Sequence, residues 1–391
     1  MPQFSHLIID KLRVRNRFGL APGYGAKLLF VWAALTASIW LLALFCVGRA
    51  PSEVRREARI ANSPAEALST WDGSRYADIA RNGYSTTPRR DRLFAFAPLF
   101  PNIARFLGGP SHAVVAGIFF AQLCLLAALF VLARLGSSGD NPASLFQQPA
   151  LWLLVSPVGF FFYMFYPESL FLLLTLAMTW AYRSDRFALA GVLGLFVGVT
   201  RPTAVTVPAL FVWDVVARWR RGQPWFGRGF CAMTPLIGFL SYVAIVGYVL
   251  NDPLGYVHVQ NKYWNLQWTV PLLPLLKGTA GLLYDLVQGN LRPVDQFVRL
   301  LSSWSILALI VWGWRRCDPG YRLYLVASML FLHSQVPPRS TLRHELVLFP
   351  AYILLSQTRL ARGRLAPLLA ILLLLIQFAM FIRAATWGWV A

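Results

Sequence analysis

Apolar runs of about twenty residues, the length that crosses a bilayer as a helix, recur along the chain from Leu28 to the C-terminus and are separated by short Arg-rich breaks. The pattern predicts a polytopic helical bundle in a membrane, since lipid-exposed chain must satisfy its backbone polar groups internally. Single crossings are expected at Leu28–Val47, Ala113–Leu132, Phe230–Leu250, Phe297–Trp314, Tyr321–His333, Glu345–Ser356 and Ala366–Ile382. Two longer stretches, Pro149–Tyr182 and Phe187–Ala217, read as hairpins turning at "YPES" and "TRPT". The count is about eleven helices, with Val270–Val287 interfacial or re-entrant.

Charge orients this set. Lys11, Arg13, Arg15, Arg17 and Lys27 precede the first run, so residues 1–27 are expected in the cytoplasm and the run is expected to stay as an anchor. Arg183 and Arg186, then Arg218, Arg220, Arg221 and Arg228, then Arg315, Arg316 and Arg322, then Arg359, Arg362 and Arg364 all fall on that same side. Residues 49–112 form a long extracytoplasmic loop with juxtamembrane helices, and the C-terminus ends outside. No repeat or low-complexity linker divides the chain, so 1–391 is one domain.

Composition agrees with a membrane protein: 57% of 391 residues are hydrophobic, 13% are charged and the mean hydropathy is +0.54. The net charge of +20 sits in short loops, which points to topology and anionic lipid head groups and away from nucleic acid. The dominance of Arg over Lys fits a bacterial plasma membrane. Cys46, Cys124, Cys231 and Cys317 lack metal-site spacing and share no side of the topology, so neither zinc nor disulfides are expected.

The polar residues of the outer side carry the candidate chemistry. They are Asp72 and Asp78 in "TWDGSRYADIARNGY", then Arg89, Arg90 and Arg92, Glu168 and Arg201 at the hairpin turns, His258, Gln260 and Lys262 in "HVQNKYW", and Arg339, Arg343 and His344 in "PPRSTLRHE". Ionisable residues at membrane depth are costly, so their convergence marks a site. Arg pairs bidentately with phosphate, and a carboxylate accepts the proton of an attacking hydroxyl. Nucleotide sugars are not at hand outside the membrane, which makes a lipid-phosphate sugar the natural donor.

Each residue also has a plainer role. Asp72 before Gly73 reads as the N-cap of a helix to Asn82 closed by Gly83, a role compatible with catalysis. Asp78 reads as paired with Arg75 and Arg81 on the solvated face of that helix. Ser63, Pro64 and Glu66 form a capping box. Arg89, Arg90 and Arg92 suit lipid head groups as well as a donor. His258 and His344 read as interface residues and no His spacing supports a metal pair. Trp264, Trp268 and Trp387 fit an aromatic belt.

"WDGSRYADIARNGY" resembles the W-D-x-x-x-Y-x-x-I-A-x-x-G-Y signature of the PIG-V-like mannosyltransferases, the family of the second GPI mannosyltransferase and its bacterial relatives. "FAFAPLFPNIARFLG" (Phe94 to Gly108), the stretch from Tyr166 to Ala204 and "LRHELVLFPAYILL" (Leu342 to Leu355) follow in the family's order, and "VQNKYW" is a further partial match. His344 departs from the family where an aromatic follows the Arg. The resemblance implies a GT-C glycosyltransferase that moves mannose from a polyprenyl-phosphate donor to a lipid or glycolipid acceptor, with inversion and without a metal or other cofactor. Asp72 would be the general base. Trp71, Tyr76, Arg89, Arg90, Glu168, Arg201, Gln260, Lys262, Arg343 and His344 would line the donor and acceptor sites, with Arg201 and Arg343 on the leaving phosphate and Glu168 orienting hydroxyls. Transfer of another sugar, a lipid or sugar transporter, and a non-catalytic scaffold are the alternatives. Eukaryotic members act beside an accessory protein, and no equivalent interface is legible here.

Overall fold

The computed structural model describes residues 23–52, 58–136, 144–290, 294–338 and 340–390. The basic cluster at Lys11, Arg13, Arg15 and Arg17, and the outer-side Arg339, lie outside the described residues. The protein is an all-α membrane protein. Five helices are long and apolar enough to cross a bilayer: Tyr24–Cys46, Leu99–Gly136, Phe226–Val249, Val294–Gly313 and Ala366–Ala385. In the first, Leu28, Leu35, Ile39 and Ala43 face inward at helical spacing while Leu29, Phe30, Leu41 and Leu44 are exposed. A helix apolar on both faces fits protein on one side and hydrocarbon on the other.

Leu99–Gly136 is longer than the predicted crossing, because residues 99–112 of the expected loop are helical too. Within it Gly109 leaves the helical conformation (φ 60°), a kink between two helical segments. Pro110 then opens the continuing segment, where its missing N–H costs nothing.

The remaining apolar helices are shorter: Glu168–Arg183, Phe187–Gly198, Ala209–Arg220, Leu273–Val287, Pro319–Leu332 and Phe349–Gln357 span 9 to 16 residues. Each falls below the ~20 residues of a full crossing. The first arm of the expected Pro149 hairpin is a helix only at Pro149–Leu154, followed by a 3-10 turn at Gly159–Tyr163. Gln377, buried on the last helix, makes that break tolerable. Its amide donates to the Leu154 and Ser156 carbonyls at 2.9 and 2.6 Å, supplying partners that water cannot supply in the interior.

Arg201 is positioned by a close helix crossing. A Cβ on Gly198 would sit 2.4 Å from the Pro235 carbonyl oxygen, and one on Gly238 would sit 2.3 Å from that of Leu195. Phe187–Gly198 and Phe226–Val249 therefore touch backbone to backbone, the small-residue packing common between membrane helices. Gly238→Leu is expected to lower stability by ~1–3 kcal/mol through overpacking, read as thermal unfolding in detergent. Gly227→Ala, where nothing lies within 4 Å, should leave it near the wild-type value.

Glu168–Arg183 has unlike ends. At Arg183 lies an ionic belt of Arg183–Asp318 at 3.2 Å, Arg228–Asp214 at 3.1 Å, Arg228–Asp185, and a Tyr182 hydroxyl donating to Asp214 at 2.9 Å. The other end carries Glu168 and the cluster described next. A two-residue antiparallel pairing of Gln267–Trp268 with Gln335–Val336 and a Leu272 N–H to His333 carbonyl bond at 2.9 Å fix the start of Leu273–Val287. That helix packs on Val294–Gly313 through Leu275, Leu282 and Leu300.

Candidate functional site

Asp72 opens the helix Asp72–Asn82, ended as expected by Gly83 at φ 73°. The cap expectation for Asp72 is corrected: it is the first helical residue, Trp71 occupies the N-cap, and no side chain caps this end. The carboxylate turns away to Arg343, whose Nη2 donates to Oδ2 at 2.7 Å. An ion pair with a guanidinium outcompetes a backbone N–H for the same oxygen.

The local sequence explains the pose. Trp71 has φ 56° and ψ −126°, a conformation that costs a non-glycine residue about 1–3 kcal/mol. It is held by its indole, which packs on Trp387 at 5.8 Å and edge-on against Trp389 at 5.0 Å. Below it, Tyr166 donates its hydroxyl to the Thr70 carbonyl at 2.8 Å. Gly73 lies where a Cβ would come 2.9 Å from the Tyr166 ring, so Asp-Gly is what fits. Tyr76, one turn on, is buried edge-on against Phe96, Phe100 and Tyr166.

Behind Asp72 the charges alternate. Arg343 Nε and Arg201 Nη1 each lie 3.1 Å from Glu168 Oε1. Neither N–H is aligned for a hydrogen bond to it, so these contacts are ionic in geometry. Arg201 Nη2 meets His344 Nδ1 at 2.5 Å. Two carboxylates and two guanidiniums thus form one balanced row. Its Asp72 end is the open one: the Asp72 side chain is 26% exposed and Arg343 9%, while Glu168 at 0% and Arg201 at 2% are enclosed. Only its head reaches the surroundings.

Because Arg201 has only N–H groups to offer, His344 Nδ1 accepts and the ring is neutral there. Burial, then the charges of Arg201 and Arg343, hold the His344 pKa well below its usual value. With a depressed folded-state pKa, the stability tied to the neutral ring is complete above the unfolded pKa of about 6.5. It is lost as pH falls from there toward the folded value, where only the unfolded chain takes up the proton. Thermal stability is therefore expected to fall on acidification below about pH 6.5, with a flatter profile for His344→Gln.

Of the residues singled out from sequence, Trp71, Asp72, Tyr76, Glu168, Arg201, Arg343 and His344 meet here. Others are engaged elsewhere. Arg89 is exposed at φ 72°. Arg90 bridges Asp78 at 3.2 Å and the Gly83 carbonyl at 3.3 Å, tying down the helix. Asp78 pairs with Arg90 and accepts from the Asn82 amide. Gln260 donates to the Ala95 carbonyl at 3.4 Å, and Lys262 pairs with Asp91 at 2.8 Å, where Tyr263 also bonds. These join helix Gly255–Trp264 to the 3-10 helix Asp91–Ala95. His258 pairs with Asp252 at 2.6 Å on the surface.

Sequence reasoning missed Glu345, buried and accepting from Ser302 at 2.7 Å and Ser303 at 2.5 Å, with His333 Nε2 at 3.1 Å. An acidic residue at the head of an apolar run was the available signal. The four cysteines are unbonded, and among the described residues no three His, Cys, Asp or Glu gather as metal ligands. No family model, curated protein or solved structure matches the chain.

Proposed function

We propose that this is an extracytoplasmic glycosyltransferase that moves a sugar, mannose by the motif likeness, from a polyprenyl-phosphate donor to a hydroxyl of a lipid-linked or glycolipid acceptor. The observation that carries the reading is the row just described, whose one accessible carboxylate, Asp72, heads a helix and is held by a guanidinium. The four motif stretches that resemble PIG-V-like enzymes are the second support.

In this reading the acceptor oxygen attacks the anomeric carbon while the bond from that carbon to the phosphate oxygen breaks. The hydroxyl proton passes to Asp72, and the electron pair leaves with the lipid phosphate. Attack opposite the leaving group inverts the anomeric centre. Arg343, directly behind Asp72 and still 9% exposed, neutralises the departing phosphate. Arg201 is enclosed, so it positions Arg343 through Glu168 and does not grip the donor itself.

This reading takes the chain as a GT-C type enzyme of about eleven crossings, with the shorter helices and the broken Pro149 arm as packed segments within the bilayer and Leu273–Val287 interfacial. The ionic Arg belt lies at the cytoplasmic end by the positive-inside rule, which puts the N-terminus inside and the Asp72 row outside. A bacterial plasma membrane is the expected location, and no metal takes part.

The test is label transfer in proteoliposomes. Polyprenyl-phosphate mannose should pass its sugar to a lipid fraction, and GDP-mannose should not. Label that crosses the bilayer without covalent transfer would replace the enzyme by a transporter. Transfer from another polyprenyl-phosphate sugar, with mannose inert, would keep the enzyme and change its donor.

A further inference from the structure

Glu345 is a buried carboxylate that the transfer step does not use, 2% exposed and gripped by three side chains. Ser302 Oγ donates to its Oε2 at 2.7 Å, Ser303 Oγ donates to its Oε1 at 2.5 Å, and His333 Nε2 lies 3.1 Å from Oε1. A carboxylate only accepts, so the imidazole proton that faces it sits on Nε2. Such donors replace the water that a buried charge has lost.

The carboxylate ends the short helix Thr341–Glu345, whose last three side chains reach three different parts of the fold. Arg343 meets Asp72 and Glu168, and His344 meets Arg201. Glu345 meets helix Val294–Gly313 through the serines and the end of helix Pro319–Leu332 through His333. Five residues are too few to hold a helix by backbone bonds alone. Ser340 also enters it in left-handed backbone, at φ 56°. Contacts from outside must therefore fix this turn.

Successive helical residues rotate by about 100°, so Arg343 and Glu345 project about 200° apart, from nearly opposite faces. The turn is stretched between them, and a roll that releases Glu345 withdraws Arg343. Helix Val294–Gly313 takes hold of this stretch twice, since one turn before Ser302 its Arg299 donates to the Pro338 carbonyl at 2.9 Å. His333 is fixed in its turn, its carbonyl accepting from the Leu272 N–H at 2.9 Å.

We infer that Glu345 is a positioning residue for sugar transfer: anchored by Ser302, Ser303 and His333, it sets the roll of Thr341–Glu345 and with it the place of Arg343 beside Asp72. This rests on the transferase reading. Glu345 touches no substrate and acts through Arg343, whose guanidinium must face the phosphate as the bond to it breaks. Misplacing such a group by about 1 Å costs on the order of 10²-fold in rate.

Two experiments on the full chain test the role. The first needs no turnover: amide hydrogen exchange, read by mass spectrometry, in the wild type and in Glu345→Ala. Release of the anchor should speed exchange about tenfold at 341–346 and also at 71–76, across the ion pair of Arg343 with Asp72. Unchanged exchange at 71–76 would make Glu345 a local fastener and overturn the proposal.

The second is kinetic, with rates taken per folded molecule. Glu345→Ala should lower kcat about 10–10²-fold with both KM values within about threefold, the mark of a group misplaced in the transition state. Glu345→Gln keeps the length and an acceptor oxygen for the serines, and should recover most of that loss. Where Glu345→Ala yields little folded protein, Ser302→Ala combined with Ser303→Ala unfastens the carboxylate from the opposite side and should show the same fall in kcat. An unchanged kcat overturns the proposal. So does Glu345→Gln as slow as Glu345→Ala, which would make the charge and not the anchorage the active feature. A wild type that transfers no sugar would instead sink the transferase reading, and the exchange result would then decide whether Glu345 holds Arg343 in place.

Discussion

Asp72→Asn is expected to reduce sugar transfer by about 10²–10⁴-fold, the range a positioned general base contributes, while the protein stays folded and inserted. Asn keeps the shape and an acceptor oxygen for Arg343, so the row is disturbed little. It cannot take the hydroxyl proton. The loss should appear in kcat with the KM values for donor and acceptor changed little, because the group acts in the transition state. Matching thermal unfolding of variant and wild type would show that the fold survived. Equal transfer by the two proteins would remove Asp72 from the chemistry and leave it an anchor for Arg343.

Glu168→Gln should have the largest effect on stability. The carboxylate is fully enclosed and its Oε1 faces both Arg343 and Arg201. Neutralising it leaves two buried guanidiniums in contact range with only Asp72 to offset them. Breaking a buried pair from one side costs roughly 3–5 kcal/mol, enough to lower the yield of folded protein. The companion Glu168→Gln with Arg201→Met removes one charge of each sign and should restore most of the stability, since a matched apolar replacement of a buried pair is often neutral. Activity should stay low in the double variant, because Arg343 loses its backing. A double variant as unstable as the single one would show that the row is not electrostatically coupled.

Much of this arrangement was legible in the chain. The apolar runs gave the membrane class, since hydrocarbon leaves few other solutions, and "YPES" and "TRPT" placed Glu168 and Arg201 at turns because charge is expelled from the middle of a crossing. Two things were not legible. Local rules gave Asp72 to the helix as a cap, but a partner 271 positions away took it. Arg90, Gln260 and Lys262 looked like ligand residues by type; Arg90 ties down helix Asp72–Asn82 through Asp78 and the Gly83 carbonyl, and Gln260 and Lys262 fasten the first loop to helix Gly255–Trp264, contacts that only the three-dimensional path of the chain reveals. The first arm of the Pro149 hairpin was overestimated for a similar reason: hydropathy reports what is apolar, and a buried Gln377 lets the chain break inside an apolar run.

The union of Asp72 with Arg343, and of Trp71 with Trp387 and Trp389, also sets a timetable. Chains are made at roughly 5–20 residues per second, so on the order of tens of seconds separate the synthesis of the first loop from that of its partners. Until the last helix inserts, the loop lacks the indoles that hold Trp71, and a nascent or prematurely terminated chain has an incomplete site. Loss of only the final residues from Trp387 onward would leave every candidate membrane span in place and still deprive Trp71 of both indoles that hold it.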